Sequence, residues 1–248
     1  VGLGTMKFHE AVDPKYFDLE RSAELFAKYP KQLLGLKVRQ SKEIVEELGL
    51  EPLKATLKMA EKIGVPVAVH VTNPPENAGA IAELLRPNDI FCHVFHGTGN
   101  DIAPNGKVDP QIWQARERGV IFDGANGGNH FVFDTAEVAL KEGFLPDIIS
   151  TDLTVKTMFL PPVGGLPMVM AKYLALGMPL MEVVRTVTEN PARAMNLLGE
   201  IGTLQPGAVA DVTILEPVEH KMTFMDTRKQ IRQGNLALLP KETIRQGT

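Results

Sequence analysis

Short apolar runs alternate with amphipathic segments along most of the chain. The runs carry the residues of buried strands, and the segments between them repeat their apolar positions with the period of a helix. The predicted strands are residues 32–39, 65–71, 89–96, 120–123 and 147–151, and the predicted helices are residues 18–29, 52–63, 76–86, 109–119, 134–142, 167–176 and 180–197, the last interrupted at Asn190 and Pro191. This alternation, at roughly thirty residues a unit, indicates βα units and a parallel sheet.

The five strands leave two architectures open, an open parallel sheet or part of a barrel. A closed (β/α)8 barrel has eight strands, and we predict an α/β fold in which this chain supplies strands four to eight of such a TIM-type barrel. From Gly199 onward, Gly and Pro separate short β-type runs such as residues 209–215. We therefore predict two parts, a barrel portion at residues 1–198 and a small all-β portion, half of a β-sandwich, at residues 199–248.

Composition excludes several classes of protein. Of the 248 residues, 44% are hydrophobic and 23% are charged, which is typical of a soluble globular chain. The net charge is −4, and basic and acidic residues are interspersed along the chain, so a nucleic-acid surface is not indicated. We find no apolar run long enough for a membrane span and no secretory signal pattern. The single Cys92 fits a reducing compartment, and we expect a cytoplasmic protein with a small-molecule partner. The sequence leaves a homo-oligomer open.

Four side chains able to bind a metal lie at or near the ends of predicted strands: Lys37, His70, His93 and Asp152. Taken singly, each has an ordinary structural explanation: a hydrogen-bonded strand histidine, a solvated lysine or an aspartate that caps a turn. In a barrel, however, successive strand ends face one cavity, so residues distant in sequence converge there. Two imidazoles and a carboxylate suit Zn²⁺ or a similar divalent ion.

A second group of residues is predicted to line the same pocket and contact substrate, each with a purely structural alternative. Arg39 could bind an acidic group or lie on the surface, and Gly164 could approach substrate through its backbone or only turn the chain. The remaining members are His96, Asn126 and His130.

Several motifs resemble one known family. They are residues 35–39 (GLKVR), 69–71 (VHV), 91–97 (FCHVFHG), 149–153 (ISTDL) and 189–193 (ENPAR). In this order they are similar to the amidohydrolase superfamily, and most closely to its dihydroorotase-like amidohydrolase/deacetylase branch. Residues 202–212 (GTLQPGAVADV) resemble the point where that family's chain leaves the barrel for its β-sandwich.

The resemblance implies a centre of two divalent metal ions, with Zn²⁺ as the expected ion. Lys37 would carry a CO2-derived carbamate that bridges both ions, and His70 and His93 would bind the more exposed ion. Asp152 would be both a ligand and the general base. The implied mechanism is attack by a metal-bridging hydroxide whose proton passes to Asp152.

One part of the family pattern is absent from this sequence. The resemblance calls for a His-x-His pair on strand one, but no two of the six histidines are separated by one residue: His9, His70, His93, His96, His130 and His220. On a strand, the three-residue spacing of His93 and His96 would place them on opposite faces. We therefore expect the chain to be the carboxyl-terminal part of a longer enzyme, with the pair upstream of Val1.

The expected activity is that of a metal-dependent hydrolase that cleaves an amide, a cyclic amide or an acetyl ester of a small molecule. An adenine-type deaminase of the same superfamily is the first alternative. A lysine at the strand-four position favours amidases and esterases over deaminases that place Glu there. The second alternative is a barrel fragment or binding subunit without catalytic activity, which the missing His-x-His favours.

Overall fold

The structure, a computed structural model, describes residues 10–248. Four short strands form a parallel sheet in the order β1-β2-β3-β4. These strands are β1 (Leu36–Arg39), β2 (Val67–His70), β3 (Ile90–Cys92) and β4 (Ile121–Asp123). Each lies within a strand predicted from the apolar pattern.

Helices connect the strands and continue after them. Their bounds are α1 (Leu19–Lys28), α2 (Lys42–Val45), α3 (Glu51–Ile63), α4 (Ala78–Leu84), α5 (Pro110–Glu117), α6 (Phe133–Lys141), α7 (Leu166–Ala175), α8 (Leu180–Val187) and α9 (Glu189–Ala194). The helix predicted at residues 180–197 is interrupted as expected, but the break lies at Thr188 and not at Asn190 and Pro191, because Thr188 leaves the helical conformation at φ −130° and separates α8 from α9.

Strand register divides the sheet into two faces. Val38, Val69, Phe91 and Phe122 lie side by side across the four strands and are buried in the hydrophobic core. The next row consists of Arg39, His70, Cys92 and Asp123, and because side chains alternate along a strand, it points to the opposite face. Polar and ionisable groups are thus collected at the carboxyl ends of the strands.

The fifth predicted strand, residues 147–151, is only partly present. Ile148 forms a single parallel bridge with Asp123. Further along, the amides of Asn126 and Gly127 donate to the carbonyls of Ser150 and Thr151, but no ladder forms. The reason is that residues 125 and 127 have positive φ values of 33° and 53°, so this segment is not extended.

The predicted strand at residues 89–96 is also too long. β3 ends at Cys92, and His93 has a φ of 65°. The amide of His96 then donates to the carbonyl of His93 at 3.0 Å, which closes a turn. The expectation that His93 and His96 lie on opposite faces of a strand is therefore wrong.

A long antiparallel hairpin, β5 (Val212–Met225) and β6 (Ile231–Ile244), forms a second sheet. It is not separate from the rest, because Phe224 and Leu238 belong to the main core and β6 packs against α7. At the hairpin turn, the buried Asp226 accepts a hydrogen bond from the amide of Phe133. The proposed division between residues 198 and 199 stays a prediction, and residues 1–9 of its first part lie outside the described residues.

Between residues 10 and 248, we find no helix with the length and apolar character required to cross a bilayer.

Candidate metal centre

Three imidazoles meet at the carboxyl edge of the sheet. The ring centroids of His70 and His93 are 4.2 Å apart, those of His93 and His130 are 4.2 Å apart, and those of His70 and His130 are 5.0 Å apart. One nitrogen from each ring lies within 4.8 Å of the other two. His70 ends β2, His93 follows β3, and His130 precedes α6, so three βα units contribute.

Outer hydrogen bonds orient two of these rings. Nδ1 of His93 lies 2.6 Å from the carbonyl oxygen of Ala125 and can donate to it, which leaves Nε2 as the lone-pair nitrogen. Nδ1 of His130 lies 3.0 Å from the hydroxyl of Thr72. Nε2 of His70 is buried and has no hydrogen-bond partner among the described residues. Such hydrogen bonds from outside the site are the usual means of orienting metal-binding histidines.

All three imidazoles are held neutral by their surroundings. Burial lowers the pKa of His93 to about 3 and the pKa of His130 to about 4. Burial lowers the pKa of His70 further, and the neighbouring His93 and His130 rings add to the effect. Because only the neutral ring can donate a lone pair, these histidines are in the form that binds a metal at neutral pH.

Asp152 follows the segment that bridges to β4, and its side chain lies beside the histidine cluster. Its Oδ2 lies 3.7 Å from Nε2 of His130, and its side chain is 44% exposed. Partial burial raises the pKa of Asp152, while the positive charges of Lys37 and Arg39 oppose that rise. The residue itself has a φ of 46°, so the chain turns sharply where the carboxylate is presented.

Lys37 and Arg39 lie on the same side of the sheet as His70. The side chain of Lys37 is 58% exposed, and its Nζ is 3.9 Å from a carboxylate oxygen of Glu10. Arg39 is more enclosed and contacts Glu10 at 3.2 Å and Glu43 at 3.6 Å. Both cations act electrostatically on His70 and on Asp152, so they belong to the same charged region as the cluster.

Gly127 provides the space in which His130 and Asp152 meet. A Cβ at this position would lie 2.5 Å from Cδ2 of His130 and 2.6 Å from Oδ2 of Asp152. With a φ of 53°, the residue also has a backbone conformation that side chains disfavour. Both constraints require glycine here.

The other predicted pocket residues lie in different surroundings. His96 is fully buried, and its Nδ1 accepts a hydrogen bond from the amide of Thr98. Asn126 is also fully buried, with its amide group directed at Ser150 and Tyr173. Gly164 lies in a turn where its amide donates to the carbonyl of Leu160. Their assignment as substrate contacts stays a prediction.

Two contributors escaped the sequence analysis. Thr72 lies two residues after His70, and because side chains alternate along a strand, both are expected on the same side of the sheet. This spacing could have identified Thr72 from the sequence. Gly127 carried no prediction, because no sequence pattern shows which glycine of this loop faces the ligands.

The donor set fits a divalent metal. Three neutral ring nitrogens lie beside a carboxylate, and one of them, Nε2 of His70, is buried and has no partner within residues 10–248. Nitrogen and carboxylate ligands in this combination suit Zn²⁺ and related ions. Lys37, which carries positive charge as a free amine, would join such a set only after conversion to an anion.

The chain is similar to several known proteins. The family model described as "Amidohydrolase family" matches residues 132–247. A deacetylase of Brucella anthropi is 34% identical over 236 residues, covering 95% of this chain and 58% of the relative. A deacetylase of Agrobacterium fabrum is 36% identical with the same coverage of 95% and 58%. The chain therefore spans little more than half the length of these curated relatives.

Solved structures show the same fold. An adenine deaminase superposes with a TM-score of 0.90 at 29% identity, over 95% of this chain and 65% of that chain. A dihydroorotase superposes with a TM-score of 0.86 at 32% identity, over 96% of this chain and 62% of that chain. These similarities confirm the predicted TIM-type barrel fold, to which this chain contributes a four-stranded parallel sheet followed by an antiparallel hairpin. Together with the family model and the curated relatives, they place the chain in the amidohydrolase superfamily.

Proposed function

We propose that this chain carries part of the active site of a metal-dependent hydrolase of the dihydroorotase-like amidohydrolase/deacetylase branch. The convergence of His70, His93 and Asp152 at one end of the sheet, with Lys37 on the same face, carries the proposal. The substrate class is a small amide, a cyclic amide or an acetyl ester. We also propose that the protein is cytoplasmic and acts on small molecules without nucleic-acid or membrane partners.

The proposed metal ligands are Lys37, His70, His93 and Asp152, with two zinc ions as the expected occupants. When bound, such ions supply a hydroxide near neutral pH and polarise a carbonyl oxygen. Lys37 acts electrostatically on His70 and Asp152, and its side chain is 58% exposed, so its amine is accessible for reaction. Addition of its neutral amine to CO2, with loss of one proton, gives a carbamate anion that can bind both ions.

Asp152 is the proposed proton carrier. Its carboxylate is half-exposed, so it can contact both a nucleophilic water and a leaving group. Partial burial raises the pKa of this carboxyl group, which makes it a stronger base than a solvated aspartate. Arg39 lies at the same edge of the sheet, where a guanidinium can bind an acidic group of the substrate.

A second candidate is deamination of adenine or a related base. The structural similarity to an adenine deaminase favours it. A carbamate-forming lysine favours hydrolysis of amides and esters instead, so the chemistry of Lys37 separates the two activities. Assays on N-acetylated amino acids, cyclic amides, acetyl esters and adenine would show which is cleaved.

The deciding experiment is a comparison of Lys37→Ala with the wild-type chain. In the wild type, we expect bound zinc and, after growth with ¹³C-bicarbonate, a carbamate signal in the ¹³C NMR spectrum. Lys37→Ala should lose the signal and the activity, and bicarbonate with metal should restore neither. Lys54→Ala, which removes an exposed lysine paired with Glu51, is the control. Wild-type activity in Lys37→Ala would exclude a bridging role, and a wild-type chain without metal or activity would support a non-catalytic subunit.

A further inference from the structure

We infer that His130 binds metal directly and completes a three-imidazole site with His70 and His93. This inference rests on the proposed function, because the ion is the one assigned there to His70 and His93. It adds a ligand from the loop before α6, a position where the resemblance supplies none.

The distances favour His130 as the third nitrogen donor. Among the described residues, His70, His93 and His130 form the group whose ligand atoms all lie within 4.8 Å of one another. Tetrahedral Zn²⁺ with Zn–N bonds of about 2.1 Å needs nitrogens about 3.4 Å apart. Small rotations of the rings therefore suffice to close the site.

The orientation of the ring agrees with ligation. Thr72 contacts Nδ1 of His130 at 3.0 Å, so Nε2 is the nitrogen that faces the cluster and Asp152. The ring of His93 is arranged in the same way, with Nδ1 at the carbonyl of Ala125. Each of these two imidazoles thus has one nitrogen fixed from outside and one that is free to bind an ion.

The loop holds His130 in place rather than leaving it on the surface. The amides of Asn126 and Gly127 donate to the carbonyls of Ser150 and Thr151. After the loop, the amide of Phe131 donates to the hydroxyl of Thr227 at 3.3 Å, and Phe131 itself is fully buried. His130 is therefore fixed on both sides, as a ligand that must not swing into solvent needs to be.

Three neutral imidazoles and the carbamate proposed on Lys37 would give this ion four protein ligands. Zinc can expand to five ligands, so water or substrate can still bind. His96 provides a contrast, because its Nδ1 also has a hydrogen-bond partner, the amide of Thr98, but the ring lies outside the cluster of three imidazoles.

Titration of the metal-free chain with Co²⁺, followed by visible absorption, tests the assignment. We expect His130→Ala to weaken Co²⁺ binding by more than the roughly 10–100-fold that loss of an outer partner costs, and to change the absorption bands of the bound ion. Thr72→Val, which keeps all three rings, should weaken binding by about 10–100-fold. His220→Ala removes an exposed histidine of the hairpin and should bind as the wild type does.

The outcomes separate this inference from the proposed function. If His130→Ala binds Co²⁺ with wild-type affinity and spectrum while His70→Ala does not, His130 is not a ligand and the metal site stands. If the wild-type chain binds no Co²⁺, both the ligand assignment and the proposed metal centre fail. Should circular dichroism show that His130→Ala is unfolded, His130→Gln replaces it, with the same expected loss.

Discussion

Nε2 of His130 and Oδ2 of Asp152 lie 3.7 Å apart, yet in the metal-free protein this contact is not an ion pair at neutral pH. Burial lowers the pKa of His130 to about 4, so the ring is uncharged at pH 7. The two residues therefore face each other as a neutral ring and a carboxylate. That state suits the binding of a cation between them, and it has a consequence for stability.

We predict that the metal-free protein loses stability as the pH falls from about 6.5 toward 4. Burial lowers the pKa values of His93 and His96 to about 3 and that of His130 to about 4, from 6.5 when unfolded. In this range the unfolded state binds more protons than the folded state, so the free energy of unfolding decreases with decreasing pH. Urea unfolding in the presence of a chelator should show a lower midpoint at about pH 5 than at about pH 7.5.

Buried carboxyl groups oppose this trend without reversing it. Burial raises the pKa of Asp123 to about 6, so protonation of this group favours the folded state between about pH 6 and 4. The pKa shifts of His93, His96 and His130 are larger and more numerous than that of Asp123. The histidines therefore determine that stability falls on acidification. A midpoint that is constant or rises on acidification would show that the rings are not held neutral in the folded state.

The second prediction concerns Gly127→Ala. The new Cβ would collide with His130 and Asp152, while the left-handed backbone alone costs about 1–2 kcal/mol. We expect lower stability together with a loss of metal binding. Gly143→Ala is the matched control, because Gly143 has a φ of 85° and nothing within 4 Å of the added Cβ. It should lose stability only, as measured by urea unfolding and Co²⁺ titration, and equal metal affinity in both variants would contradict the role given to Gly127.

The sequence predicted the sheet because strand burial leaves a local signal. The apolar run around Val69, whose valines are buried in the core, is recognisable without any tertiary information. His70 lies near the end of that run. Lys37, His70, His93 and Asp152 could therefore be chosen from strand ends alone.

The position of His130 could not be predicted in this way. It lies in a loop, and its approach to His93 depends on hydrogen bonds of residues 126 and 127 to a segment more than twenty residues away. The end of β3 at Cys92 was missed for a related reason. The apolar run continues through Val94 and Phe95, but these residues are buried in a turn and not in a strand.

The third prediction concerns Asp89, a fully buried carboxylate immediately before β3. It accepts hydrogen bonds from the amides of Val67 and Arg86 and forms a salt bridge with the Arg86 guanidinium at 2.9 Å. Arg86 is 31% exposed, so the main effect of Asp89→Ala is to leave the amides of Val67 and Arg86 without an acceptor, which should cost about 1–3 kcal/mol for each amide. Glu182→Ala, which breaks an exposed pair with Arg185, should cost less than about 1 kcal/mol. Similar urea midpoints for the two variants would rule out a structural role for Asp89.

The last prediction concerns Lys172 on α7, whose side chain is almost fully buried. Its Nζ lies 3.9 Å from the ring centroid of Phe131 and has no hydrogen-bond partner among the described residues. Burial lowers the pKa of Lys172 to about 7, although the carboxylate of Asp226 opposes this. Between about pH 7 and 10.5 the unfolded state binds more protons at this position, so the free energy of unfolding increases with pH in this range.

Lys172→Met should therefore stabilise the protein, because a thioether of similar length fills the same space without a charge to desolvate. We expect an increase on the order of 1–4 kcal/mol at about pH 7, with a flatter dependence of the urea midpoint on pH above 7. Lys54→Met, on the exposed face of α3, should change neither quantity. A destabilised Lys172→Met would mean that the ammonium group interacts favourably with Phe131 and Asp226, and that this interaction outweighs the cost of burying it.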